Sequence, residues 1–144
     1  MGRRALVAAL VAVTAGLALA GIGAATNSPD LTATLTGKAE KPKGDLNGSG
    51  IAIVDLSGGK RTVCWEFRNI KNIAKPTAAH IHKGGPGVAG PVVVPFGGAY
   101  KAKGCISSTK AVIEAIEAHP GRYYVNIHNA AFPGGAIRGQ LAAR

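Results

Sequence analysis

The sequence predicts an all-β domain, an antiparallel Greek-key β-sandwich or flattened barrel of about seven short strands with one short helix. Three observations carry this. Apolar and polar residues alternate with a period of two in several short runs, of which Leu31-Thr32-Ala33-Thr34-Leu35-Thr36 is the clearest. Turn-forming clusters separate those runs, and the chain spends 21 glycines and 8 prolines on them in 144 residues. A single segment, 110–119, has helical periodicity.

Residues 1–25 read as a leader that lies outside this fold. Met1-Gly2-Arg3-Arg4 is basic, Ala5 to Ile22 is almost unbroken apolar sequence, and Ala18/Ala20 and Gly23/Ala25 are small residues suited to cleavage. A secretory signal peptide is expected, and with it a secreted, extracytoplasmic protein. The alternative is an uncleaved anchor, since about 20 apolar residues span a bilayer; the membrane would then be met only through that segment. Residues 26–30 form a short linker, and 31–142 are the length of one domain with its own core. Two cysteines, Cys64 and Cys105, follow the leader. In an exported chain such a pair is expected to be joined, and the loop it closes would contribute about 4 kcal/mol. Two buried thiols are the alternative.

The strand 31–36 is followed by a turn-rich connection, Lys41 to Gly48. Asn47-Gly48-Ser49 within it has the form of a glycosylation acceptor and otherwise serves as turn chemistry. Strands 50–56 and 61–67 flank the hairpin turn Ser57-Gly58-Gly59-Lys60. Val63, Trp65 and Phe67 take the core face of the second, which leaves Cys64 and Glu66 on the other. A bridge from Cys64 would therefore tie this strand to an overlying loop, 97–107, that carries Cys105. After a loop over 69–77 comes the strand containing Ala79-His80-Ile81-His82. The next stretch, Gly85-x-Gly87-x-x-Gly90, matches a dinucleotide-binding string. That match is rejected, because Pro91-Val92-Val93-Val94-Pro95 continues as a strand where the fingerprint requires a helix. Thr109 and Ser108 offer an N-cap to the helix 110–119, Pro120-Gly121 stops it, and His119 suits its C-terminal carbonyls. Strands 122–129 and 135–142 close the chain.

The candidate chemistry lies in three histidines. His80 and His82 stand two apart on one strand, so both rings share a face and Ile81 points the other way. His128 is turned away from Val125 and Ile127 by the same alternation, together with Tyr124 and Asn126. Three neutral imidazoles suit copper, and zinc less well, with Tyr124 and Asn126 orienting the rings. The alternative is structural: these side chains bond to the neighbouring Gly-rich loop and hold it in place.

Charge narrows the partners. The formal net charge is +10, and Arg3 and Arg4 of the leader account for two of those charges. A balance this basic favours anionic cell-envelope or matrix polymers, although the lysines are spread rather than clustered. Nucleic acid is excluded, because no aromatic platform is interleaved with the basic residues. No carboxylate pair or activated serine supports hydrolytic chemistry, so no catalytic residue is assigned.

Ala79-His80-Ile81-His82, Gly90-Pro91-Val92-Val93-Val94, Tyr123-Tyr124-Val125-Asn126-Ile127-His128 and Phe132-Pro133-Gly134-Gly135-Ala136-Ile137-Arg138-Gly139-Gln140-Leu141 together resemble the CHRD domain, over Leu31 to Leu141. That resemblance implies a β-rich extracellular domain with no established reaction, hence a non-catalytic exported binding module. A weaker resemblance is to copper-zinc superoxide dismutases, which implies a superoxide-dismutase-like sandwich. His80, His82 and His128 then fall on copper ligands, and Arg138 on the arginine that attracts the anionic substrate. The zinc cluster, the bridging ligand and the long charged loop have no counterpart. The alternative function so implied, a copper redox protein with dismutase-like activity, requires Arg138 beside the histidines and a site open to solvent.

Overall fold

Among the described residues, alternating apolar residues produce nine antiparallel strands: β1 (Leu31–Thr36), β2 (Ser49–Ser57), β3 (Thr62–Lys71), β4 (Pro76–Lys83), β5 (Val92–Pro95), β6 (Lys103–Ser107), β7 (Tyr123–Asn129), β8 (Ile137–Gln140) and β9 (Ala142–Ala143). A helix, α1 (Lys110–Ala118), stands between β6 and β7 and is capped by the Thr109 hydroxyl, which accepts from the Val112 amide. The computed structural model describes Gly2 and residues 30–144; the leader otherwise, and linker residues 26–29, lie outside the described residues. Among the described residues no helix is long and apolar enough to cross a membrane.

The antiparallel all-β class is as the sequence predicts, with two differences in detail. Lys103–Ser107 is a strand rather than an overlying loop, and it pairs along the free edge of β3 with Cys64 directly opposite Cys105. The two cysteines form a disulfide between neighbouring strands. Its basic, glycine-containing sequence hides this strand, which exists because β3 offers an unpaired ladder and because Gly104 leaves room for Trp65: a Cβ there would sit 2.8 Å from the indole. The second difference is at the C-terminus, where Leu141 buries itself between β8 and β9 and breaks one expected strand into two.

All strands belong to one sheet in the order β5-β4-β7-β8-β1-β2-β3-β6, with β9 beside β1. The sheet curls so that its two halves face each other. Leu31, Leu35, Val54, Val63 and Trp65 from one half and Ile81, Val125, Ile127 and Ile137 from the other join a single apolar cluster, with Ile113 and Ile116 of α1. Between the two sheet edges the segment 96–102 closes the open side. At one end the Phe96 and Tyr100 amides donate to Ala79 and Thr77 of β4; at the other Ala102 accepts from Phe67 of β3. Phe96 stacks on Trp65 at 4.6 Å between centroids, and Tyr100 on Phe67 at 5.6 Å. The Trp65 indole N–H donates to the Lys101 carbonyl.

Candidate metal centre

The adjacent strands β4, β7 and β8 put their even-numbered side chains on the face away from the apolar cluster. Register sets Ala78 opposite His128, His80 opposite Asn126 and His82 opposite Tyr124. β8 then adds Arg138 opposite Asn126 and Gln140 opposite Tyr124. Ala79, Ile81, Val125 and Ile127, the residues between, are buried in the core.

The three rings meet. His80 Nδ1 lies 3.0 Å from His128 Nε2, and one ring nitrogen from each of His80, His82 and His128 lies within 4.8 Å of the other two. Two nitrogens bound to one tetrahedral copper or zinc ion at ~2.0–2.1 Å are ~3.3–3.4 Å apart, so a pair at the upper limit would have to close by about 1.4 Å on binding. Tautomers follow from the carbonyl partners, which can only accept. His82 donates from Nδ1 to the Gly90 carbonyl at 2.8 Å, which leaves the Nε2 lone pair buried and without a partner. His128 donates from Nδ1 to the Pro133 carbonyl at 2.9 Å, so its Nε2 lone pair also faces the cluster. Asn126 Oδ1 is 3.0 Å from that same Nε2; two acceptors facing each other are relieved by a proton, a cation or a turned amide.

Burial, with the neighbouring imidazoles second, pushes His80 down to about 4. His82 is lowered too, chiefly by burial, with its bond to Gly90 acting the other way. Both rings are therefore neutral at pH 7, the state in which imidazole binds a metal.

The face is turned outward with respect to the core, as the alternation predicts, yet it is not an open surface. The Gly-rich loop after β4 lies over it and is fastened by the side chains beneath. Arg138, 1% exposed, donates to the Val88 and Gly85 carbonyls at 2.7 and 2.8 Å. Gln140 donates to the Gly84 carbonyl, and the Tyr124 hydroxyl accepts from the Gly90 amide. Gly90 allows this close approach, because a Cβ there would fall 1.7 Å from the Lys83 carbonyl oxygen. The string Gly85-x-Gly87-x-x-Gly90 is thus a cover for histidines, with no helix behind it. His82 does both things the sequence left open: its Nδ1 holds the loop and its Nε2 remains available.

Arg138 is joined to the histidines only through an aromatic ring. Its guanidinium carbon sits 3.3 Å from the Tyr124 ring centroid, and Tyr124 stacks on His82 at 4.8 Å with 8° between planes. Its bonds to Val88 and Gly85 direct it at protein carbonyls, so it stands as a fastening of the loop.

One residue of the site has no signature in the sequence. Glu40, between the exposed Lys38 and Lys41, reads as part of a solvated charge run, but it is 2% exposed. Its Oε1 accepts from the Lys41 amide, while Oε2 is buried without a partner. Gly135, at φ 140°, lies against that carboxylate, where a Cβ would come 2.2 Å from Oε2. Burial pushes the Glu40 carboxyl up; the Lys41 amide, Arg138, His128 and the Asn126 side chain act in the opposite direction.

The sequence matches the CHRD domain over residues 31–141, from the first residue of β1 to the buried Leu141. The chain belongs to the CHRD domain family. No curated protein and no solved structure matches it significantly. In this CHRD domain the matched region includes each of the three histidines, Glu40, Arg138 and both cysteines.

Proposed function

We propose that this CHRD domain is a non-catalytic, extracytoplasmic binding module that holds one copper ion between His80, His82 and His128. The observation that carries the reading is the buried, unpartnered Nε2 of His82, held in the ligand tautomer by Gly90 and converging with two further imidazoles. The family and the disulfide support an oxidising, extracytoplasmic setting reached by cleavage of residues 1–25. Zinc is the less favoured occupant. Spread lysines supply a weak second contact with anionic cell-envelope or matrix polymers, which would show as salt-sensitive retention on a sulfated glycan.

Titration calorimetry with copper(II) is expected to give about one equivalent. His80→Ala and His128→Ala should each weaken binding by at least 10–100-fold, the loss typical even of groups that only support a ligand. Equal binding by the wild type and the double variant would refute the reading. The dismutase-like alternative has less support, because Arg138 is buried beneath Val88 and Gly85 rather than presented to an incoming anion.

A further inference from the structure

We propose that Glu40 is the charge-compensating residue of the three-histidine pocket and makes it a site for divalent rather than monovalent cations; this rests on the metal-binding reading above. The residues around the pocket offer three imidazoles, none of which carries a negative charge, and one permanent cation, Arg138, whose charge opposes a positive ion at His82. A divalent ion placed there would be desolvated with a guanidinium on the other side of the Tyr124 ring. Among the described residues Glu40 is the one carboxylate in the set of buried polar side chains, and it approaches from outside β4, β7 and β8, on the connection that follows β1.

Its placement is specific. The turn after β7 holds both Glu40 and a ligand, since the Pro133 carbonyl accepts from His128 and Gly135 packs on the Glu40 carboxylate. Asn126, whose Oδ1 is 3.0 Å from His128 Nε2, bears on the carboxylate as well as on the rings. A buried carboxylate oxygen without a hydrogen-bond donor is costly, and an adjacent cation removes that cost. Glu40 is outside the group of side chains that converge as ligands, so its effect is through charge rather than ligation.

Coulomb energy is linear in the charge of the ion. Neutralising Glu40 should therefore cost a divalent ion twice the free energy it costs a monovalent one, so the factor lost by the second is the square root of the factor lost by the first. Glu40→Gln is expected to weaken copper(II) and zinc(II) about 10–100-fold, and copper(I), kept reduced with ascorbate, about 3–10-fold. Glu40→Asp, which retains the charge, should restore most of the divalent affinity. A uniform loss for both charge classes, or none, would overturn the proposal, because a purely structural role does not sort ions by charge. Should Glu40→Gln not fold, Glu40→Met fills the volume without charge and is read the same way. A wild type that binds neither ion overturns the metal reading and this inference together; a wild type that binds both, with equal losses in E40Q, overturns only the role of Glu40.

Discussion

Replacing Arg138 separates a fastening role from an anion-attracting one. A lysine keeps the positive charge but loses the planar fork that reaches the Val88 and Gly85 carbonyls together. Each buried hydrogen bond from a charged donor contributes about 1.5–3 kcal/mol, and a carbonyl left without a donor costs about 1–3 kcal/mol. An ammonium can satisfy one of the two, and its contact with Tyr124 is weaker than the guanidinium's. Arg138→Lys is therefore expected to destabilise the domain by about 2–3 kcal/mol, and Arg138→Met by about 3–4 kcal/mol. Relief of a buried charge does not trim the second figure, because removing the guanidinium leaves the buried Glu40 carboxylate without that opposite charge. Urea unfolding followed by the fluorescence of Trp65, the chain's one tryptophan, measures both. For a domain of this length 2–3 kcal/mol corresponds to a drop in Tm of roughly 8–12 °C. Arg138→Lys within about 0.5 kcal/mol of wild type would refute the fastening role, since charge alone would then suffice.

Two further outcomes follow from the same structure. In the metal-free protein His80 is pushed down to about 4, whereas an unfolded histidine titrates near 6.5; between those values the unfolded chain takes up a proton that the folded one refuses. Stability is then full above pH 6.5 and falls towards pH 4, by about 1–2 kcal/mol after allowance for the ring's partial exposure. The raised Glu40 carboxyl has the opposite slope, so the difference between wild type and His80→Gln isolates the histidine; the absence of any difference across that window would refute the assignment. Reduction of Cys64–Cys105, or its replacement by two serines, opens a loop with a sequence separation of 41 and should cost about 4 kcal/mol by chain entropy. Denaturation with and without reductant measures it, and a mass increase on alkylation of unreduced protein would show that the bond is absent.

What could be read in advance was governed by alternation. Val63, Trp65 and Phe67 on one face, and His80, His82, Tyr124, Asn126 and His128 on another, follow from a period of two and are placed as that period requires. Two things escaped it. Strand β6 depends on an edge that exists only after β3 has folded, so its own residues carry little signal. Glu40 enters the pocket through the close packing of residues 37–45 on the turn at 134–136, including the Asp45 amide donating to the Ala136 carbonyl. A contact between segments so far apart in sequence has no local period. The Gly-rich loop lay between these cases: the sequence allowed that the outward side chains hold it in place, and only the structure showed that His82, Tyr124, Arg138 and Gln140 do so.

The disulfide has a topological consequence for the pocket it does not touch. Cys64 and Cys105 tie off a ring of chain that contains β4, the Gly-rich loop, β5 and the segment 96–102. His80 and His82 are inside that ring, while Glu40, Asn126, His128 and Arg138 are on the two tails that leave it. The bond therefore takes 41 residues out of the contour between Glu40 and His128, and the two tails search for each other as a shorter polymer. Formation of the bond would in this way ease assembly of a pocket whose walls come from three separate lengths of chain.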